Sequence, residues 1–357
     1  MKFKKLLAAA AASVMLCSMT ACSETNTSST ANDNNSAPAA ANSVASTPAD
    51  NNSTPASTPD VGDKTFSIGV CQLLEHPALS AATEGFSDKL KELLGDKVTI
   101  DVQYAQGETT NCVTITNNFV AANVDLILAN ATSPLTTAAS ATSTIPIVGT
   151  SITDYATALG IKEGWSGKSG KNITGTSDLA PIDQQEKLLL ELFPDCKKVG
   201  ILYCSSEANS KYQADLFTAA LKADGKDYKE FTAADANEIP TAVQTAIGEC
   251  DVLYIPTDNT FADATETVKS IVEPAKIPVI AGEEGICGGC GVATLSISYY
   301  DIGAIAGEMA YDILVNGKNP GDMDIQYAPK FTKKYNAAMC QSLGITPPEG
   351  YEAIAAE

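Results

Sequence analysis

The stretch Asp251-Val252-Leu253-Tyr254-Ile255-Pro256-Thr257-Asp258-Asn259-Thr260 constrains the fold more than any other part of the chain. Its run of apolar residues, β-branched and aromatic among them, predicts a strand buried on both faces, as in a parallel sheet. The run ends in small polar groups, and a helical pattern begins at Phe261-Ala262. In open α/β sheets, ligands bind in the crevice beyond the carboxyl ends of the strands. Thr257, Asp258, Asn259 and Thr260 hold that position. An upstream copy, Asp125-Leu126-Ile127-Leu128-Ala129-Asn130-Ala131-Thr132-Ser133-Pro134, repeats the order of acid, apolar strand and hydroxyls. Each copy leads through a helical segment to a second matching strand, Ile145-Pro146-Ile147-Val148-Gly149 or Ile277-Pro278-Val279-Ile280-Ala281. The expected fold is therefore α/β, with two similar doubly wound parallel-sheet lobes joined by a hinge and a ligand held between their polar rims.

Composition narrows the partners. A chain of 357 residues can form two cores. Its formal net charge of −20 argues against nucleic acid, because phosphate binding needs basic surface. Residues 1–22 have the form of an export leader: Lys2, Lys4 and Lys5 precede an apolar stretch, Leu6 to Leu16, too short to span a bilayer. Met19-Thr20-Ala21-Cys22 resembles a bacterial lipobox, which would place lipid on Cys22. Residues 23–63, mostly Ser, Thr, Asn, Ala, Pro and Asp, offer no apolar face and read as a disordered tether. The expectation is a folded body anchored at the outer face of a cell membrane without crossing it.

Within the body, strands and helices alternate from Phe66 onward, which implies right-handed βαβ units. The loop Leu73 to Pro77 leads into a helix carrying Leu79, Phe86 and Leu90 at helical spacing. Residues 160–171, rich in Gly and Ser, read as a loop before the crossover into the second lobe.

No metal-ligand cluster, phosphate loop or nucleophile elbow occurs, and no cofactor is expected. The sole histidine, His76, reads as a cleft-facing polar group or as part of a helix start. Cys287-Gly-Gly-Cys290 reads as a loop-stapling disulfide or a pair of free thiols, with redox catalysis the weaker alternative. The strand-end residues form the candidate ligand set: Gln72, Glu75, His76, Thr132, Ser133, Asp154, Ser205, Ser206, Asn209, Asp258, Asn259, Thr260 and Glu283. Hydroxyls and backbone N–H groups at Thr132-Ser133 suit a ligand carboxylate, while Asp154, Asp258, Glu283 or Glu284 could meet an ammonium. Each of these residues, taken singly, also suits a helix cap. Tyr155, Tyr203 and Tyr299 are candidates for an aromatic wall, with core packing the alternative.

Four stretches, Gln72-Leu-Leu-Glu75-His76-Pro77-Ala78-Leu79, Gly175-Thr-Ser-Asp178-Leu, Ser205-Ser-Glu-Ala-Asn209-Ser and Pro256-Thr-Asp258-Asn259-Thr260, resemble the substrate-binding lipoproteins of ABC transporters. The similar members include tryptophan- and tyrosine-binding proteins. The resemblance implies the type I periplasmic-binding fold with three hinge crossovers. It divides the body into an N-terminal lobe, 64–178 plus 295–326, and a C-terminal lobe, 179–294 plus 327–357. It also implies a monomer that is not an enzyme, binding a small amino-acid-like solute and delivering it to permease and ATPase subunits. A sensory module of the same fold and a cysteine-dependent redox enzyme are the rival readings. On this reading Asp258→Ala should weaken ligand binding at least tenfold and leave thermal stability nearly intact.

Overall fold

The apolar runs of the two repeats become the central strands of two separate sheets. A computed structural model describes residues 62–161 and 163–355. The expected leader, Cys22 and nearly all of the 23–63 tether lie outside the described residues. The first sheet contains β1 (Phe66–Gln72), β2 (Val98–Tyr104), β3 (Leu126–Asn130), β4 (Ile147–Ile152) and β5 (Ile173–Ser177). The second contains β6 (Lys198–Cys204), β7 (Asp227–Ala233), β8 (Val252–Ile255), β9 (Val279–Ala281) and β10 (Ala293–Ile297). The chain then returns to the first sheet as β11 (Gln326–Tyr327) and to the second as β12 (Phe331–Tyr335) and β13 (Glu352–Ala353). Three crossings therefore join the sheets.

Strand order is β11-β5-β4-β3-β1-β2 in one sheet and β13-β12-β10-β9-β8-β6-β7 in the other. All pairings are parallel except β10 with β12. Both sheets reverse winding at the same place, between β1 and β3 and between β6 and β8. Ligand crevices of doubly wound sheets open at such switch points.

The leading acid of each repeat has the same structural task. Asp125 accepts from the Ser67 amide at 2.8 Å, and Asp251 accepts from the Lys197 and Lys198 amides at 2.8 and 2.9 Å. Each carboxylate thus ties a central strand to the start of its neighbour, β1 or β6. The prolines match as well: Ile127 donates its amide to Pro146 O and Leu253 to Pro278 O. Proline keeps its carbonyl as a ladder acceptor although it has no N–H to donate.

The helices are α1 (Pro77–Leu94), α2 (Thr109–Ala122), α3 (Thr132–Ala141) and α4 (Tyr155–Ala158) in the first half of the chain. Next come α5 (Ile182–Leu192), α6 (Ala208–Ala223), α7 (Ile239–Ile247), α8 (Asn259–Asp263), α9 (Thr265–Ala275) and α10 (Glu284–Gly289). The last two are α11 (Tyr299–Leu314) and α12 (Ala337–Leu343). The apolar run ending at Ile255 leads into α8, which starts at Asn259, two residues before the helical pattern in the sequence predicts. Asp258 caps it.

In the C-terminal lobe Tyr254 stacks on Phe217 with ring centroids 3.6 Å apart, and both are fully buried. A buried aromatic of this size contributes roughly 1.5–3 kcal/mol. In the N-terminal lobe α11 lies against α1 because glycines remove the side chains between them. A Cβ on Gly303 would fall 2.0 Å from the Ala82 carbonyl oxygen. That close approach fastens α11 to the first lobe immediately after β10 leaves the second.

Candidate functional site

The loops leaving β6, β8 and β9 build the C-terminal rim, and its carboxylates are occupied by backbone amides. Asp258 accepts from the Cys204 amide at 2.6 Å and the Phe261 amide at 2.9 Å, joining β6 to the start of α8. Glu283 accepts from the amides of Gly285 and Ile286 and caps α10. Glu207 receives five donors. Its Oε1 accepts from the Thr260 amide and hydroxyl at 2.9 and 2.7 Å. Its Oε2 accepts from the Asn259 amide at 3.1 Å, Asn259 Nδ2 at 2.6 Å and Asn209 Nδ2 at 3.1 Å.

The N-terminal rim is built differently. His76 precedes α1 and Ala131 precedes α3, and neither provides a side-chain cap, so the first amides of both helices are left without one. Two non-glycine residues here have positive φ, Ala131 at 96° and Ser151 at 56°. Ser151 lies where β4 slips register against β5, between Gly149 and Ile152. A bulge of this kind re-aims a side chain, and Ser151 faces the space between the lobes. Asp178, just beyond β5, accepts from Thr153 Oγ1 at 2.9 Å and from the Tyr299 hydroxyl at 3.0 Å.

These rims face one another across a small cavity lined by His76, Ser151, Asp178, Thr257, Asp258 and Glu283, with Leu79, Asn209, Asn259, Ala262 and Tyr299 completing the wall. Its empty space totals about 270 Å³, but the clear part admits little more than one water. Polar contacts that span the lobes include His76 Nε2 to Asn259 Oδ1 at 3.2 Å and Gln213 Nε2 to Thr153 Oγ1 at 3.5 Å. Three lining atoms, His76 Nδ1, Ser151 Oγ and Thr257 Oγ1, are buried without a hydrogen-bond partner. Three of the ten buried side-chain atoms left unpaired among the described residues thus belong to this one cavity, where a polar group from outside the chain could pair with them.

The electrostatics are one-sided. Burial raises Asp178 to about 6 and Glu283 to about 7, and burial followed by the nearby Glu207 raises Asp258 as well. Burial lowers His76, which keeps its ring neutral near pH 7. No lysine lines the cavity, and the sequence contains no arginine. A positive group would relieve the buried carboxylates, whereas a ligand carboxylate would have to rely on amides and hydroxyls.

The sequence profile of the ABC transporter substrate binding protein family matches residues 67–357. The chain belongs to that family. A tyrosine-binding protein of Clostridioides difficile is 37% identical over 265 residues, covering 73% of this chain and 76% of the relative. A Streptococcus pneumoniae ABC domain in complex with L-Trp has a TM-score of 0.77 at 32% identity, covering 82% of this chain and 100% of its own. The ligand-free, open structure of a Clostridium difficile substrate binding protein with adhesive properties has a TM-score of 0.64 at 33% identity, with the same coverage of 82% and 100%. At nearly equal identity, the chain superimposes better on the tryptophan complex than on the open structure. The family is one of binding proteins and not of enzymes; membership implies a small-molecule solute and permease and ATPase partners.

In this substrate-binding protein the strand-end residues named from sequence divide into groups. His76, Asn209, Asp258, Asn259 and Glu283 line the cavity. Thr260 is committed to Glu207. Gln72 is locked inside its lobe, accepting from Thr83 at 2.6 Å and donating to Leu74 O at 2.7 Å. Asp154 caps α4 through the amides of Ala156 and Thr157. Thr132 and Ser133 are half-buried at the start of α3, outside the cavity wall. Glu75 is exposed, and the exposed Ser205 and Ser206 donate to the Ala233 and Ala234 carbonyls. Of the tyrosines, Tyr299 reaches the cavity, while Tyr155 donates to Thr176 O and Tyr203 to Glu230.

Of the two readings of the cysteine pair the structure has the second: Cys287 and Cys290 are buried free thiols; the first lies in α10 and the second at its C-cap. Asp258 is buried and doubly bonded to backbone, so its removal must cost stability, contrary to the expectation that it would not. Sequence reasoning also passed over Glu207, Ser151 and Asp178 as site residues. Glu207 stands two residues before Asn209 in a quoted motif, but its five donors come from two separate loops. Ser151 is re-aimed by a bulge that no periodicity announces.

Proposed function

We propose that this protein is an extracytoplasmic receptor that closes its lobes around an amino-acid-like solute, of which an aromatic amino acid is the best-supported choice. The observation that carries the reading is the set of three orphaned polar atoms, His76 Nδ1, Ser151 Oγ and Thr257 Oγ1, on a cavity rich in buried carboxylates. An α-ammonium is drawn to Asp178, Asp258 and Glu283. The α-carboxylate finds no arginine and turns to the uncapped amides at the start of α1, whose Leu79 lines the cavity. The relatives that bind tyrosine and L-Trp support an aromatic side chain, with Tyr299 as the nearest ring. The narrowness of the cavity means that the lobes must part to admit such a solute and close again over it. Contacts to both lobes then favour the closed arrangement by differential affinity.

The receptor acts as a monomer without enzymatic activity. Burial pushes the Cys287 and Cys290 thiols well up, away from the thiolate that redox chemistry needs. The lipobox-like Met19 to Cys22 supports a lipid anchor at the outer face of the membrane, with residues 23–63 as the tether. A thermal-shift screen of the L-amino acids followed by titration calorimetry tests the ligand class. A true solute at a hundredfold excess over its Kd stabilises the fold by about 2.7 kcal/mol. A flat screen across all of them would remove amino acids from consideration.

A further inference from the structure

We infer that Glu207, acting through Asn259, holds His76 in the Nε2–H tautomer, so that His76 Nδ1 presents a bare lone pair to the cavity and selects a ligand N–H or O–H at that point. The inference rests on the cavity being the ligand site and goes beyond it by giving one wall atom a definite polarity.

A chain of hydrogen bonds sets the ring's tautomer, each link leaving the next no choice. Glu207 is surrounded by five donors. Asn259 Nδ2 stands 2.6 Å from Oε2; reversing that amide would press its oxygen against a carboxylate oxygen at the same distance. The amide is therefore held with Oδ1 turned away, toward His76. An amide oxygen can only accept, so Nε2, 3.2 Å from it, must carry the proton. In a neutral imidazole the other nitrogen is then an acceptor. Burial, which lowers the His76 pKa, keeps the ring in that neutral form. Nδ1 belongs to a residue that lines the cavity, is buried and has no hydrogen-bond partner among the described residues. A carboxylate oxygen at that point would meet lone pair with lone pair. An ammonium, an indole N–H or a hydroxyl would complete the network. Glu207 never touches the ligand in this scheme; it is a positioning residue.

The chain has one histidine, so the tautomer can be read without assignment ambiguity. The full chain labelled with ¹⁵N-histidine is examined near pH 7, alone and with L-tryptophan or L-tyrosine, whichever raises the melting temperature more. The expected spectrum shows a predominant Nε2–H tautomer. Glu207→Gln, whose amide can itself donate and so frees Asn259 to turn, should give a mixture of tautomers. Asn259→Leu should do the same while leaving Glu207 its contacts to Thr260 and Asn209. Thr260→Ala, which also removes a Glu207 contact but spares Asn259, should leave the tautomer as in the parent. This separates positioning of the ring from general support of α8. A parent histidine that is Nδ1–H or evenly mixed in both spectra overturns the inference. So does an unchanged tautomer in both Glu207→Gln and Asn259→Leu. On saturation with the stabilising amino acid, the Nδ1 resonance should move in the direction of an accepted hydrogen bond, and an unmoved resonance refutes the ligand contact. If neither amino acid stabilises the chain, the proposed aromatic ligand fails, while the tautomer is still read from the protein itself.

Discussion

The two repeats share a strand pattern, a leading acid and a place beside the winding switch, yet their rims end differently. In the C-terminal copy Asp258 stands where the N-terminal copy has Thr132. Asp258 caps α8 and is buried; Thr132 is half-buried, opens α3 and caps nothing. One lobe therefore brings carboxylates already engaged with its own amides, while the other brings helix starts without side-chain caps and a histidine with an unpartnered nitrogen. Two similar folds have become unlike halves of one site: the C-terminal rim carries Asp258 and Glu283, while the N-terminal rim carries Asp178, two uncapped helix starts and the His76 ring.

The sharpest test of that asymmetry exchanges the matched positions. Asp258→Ala removes a cap and orphans the buried Cys204 amide, and should lower unfolding stability by about 2–4 kcal/mol. Thr132→Ala at the matching position should stay within about 0.5 kcal/mol. Denaturant melts of both decide it, and equal losses would erase the distinction between the rims.

A smaller effect separates function from stability. Ser151→Ala and Thr257→Val delete hydroxyls that make no close hydrogen bond among the described residues, Thr257 having only a longer contact to Tyr299, so folding should be little harmed. Each should nonetheless weaken solute binding by roughly 2–13-fold, the worth of one hydrogen bond. Melting and calorimetry on the same samples check the split; lost stability with unchanged affinity would reverse the assignment.

Next comes pH. The folded chain holds protons on Asp178 and Glu283 up to about 6 and 7, whereas unfolded carboxyls release theirs near 4. The stability these groups contribute is complete below about 4 and is lost as pH rises through 6 and 7. Melting temperature at constant ionic strength should therefore fall between about pH 4.5 and 8, and Glu283→Gln should flatten part of that slope. A melting temperature that rises across the window would show that burial does not govern these carboxyls.

The smallest expected change is at the cysteines. Cys290→Ser should alter solute affinity less than about twofold, since the thiol faces Ile286 O within its own lobe rather than the cavity wall. A tenfold loss, read by the same calorimetry, would reopen a role for the Cys287-Cys290 pair.

Much of this protein was decided locally and could be read before any coordinates. Strands such as Val252–Ile255 announce themselves because burial on both faces demands an unbroken apolar run. Every polar strand end could be read as a helix cap, but that Asp154 and Asp258 take that role was decided only by the fold. The duplication is visible because each copy needs the same acid to tie two strands together. What sequence order could not reveal is which polar strand-end groups remain unspent once the chain has packed. Asp154 and Thr260 are consumed by neighbours, while His76 Nδ1, Ser151 Oγ and Thr257 Oγ1 are left over. That outcome depends on contacts between residues as distant as His76 and Asn259, on a bulge in β4 and on the approach of two lobes. Local chemistry sets what each residue is able to bond, and only the assembled fold determines which of those bonds are already made.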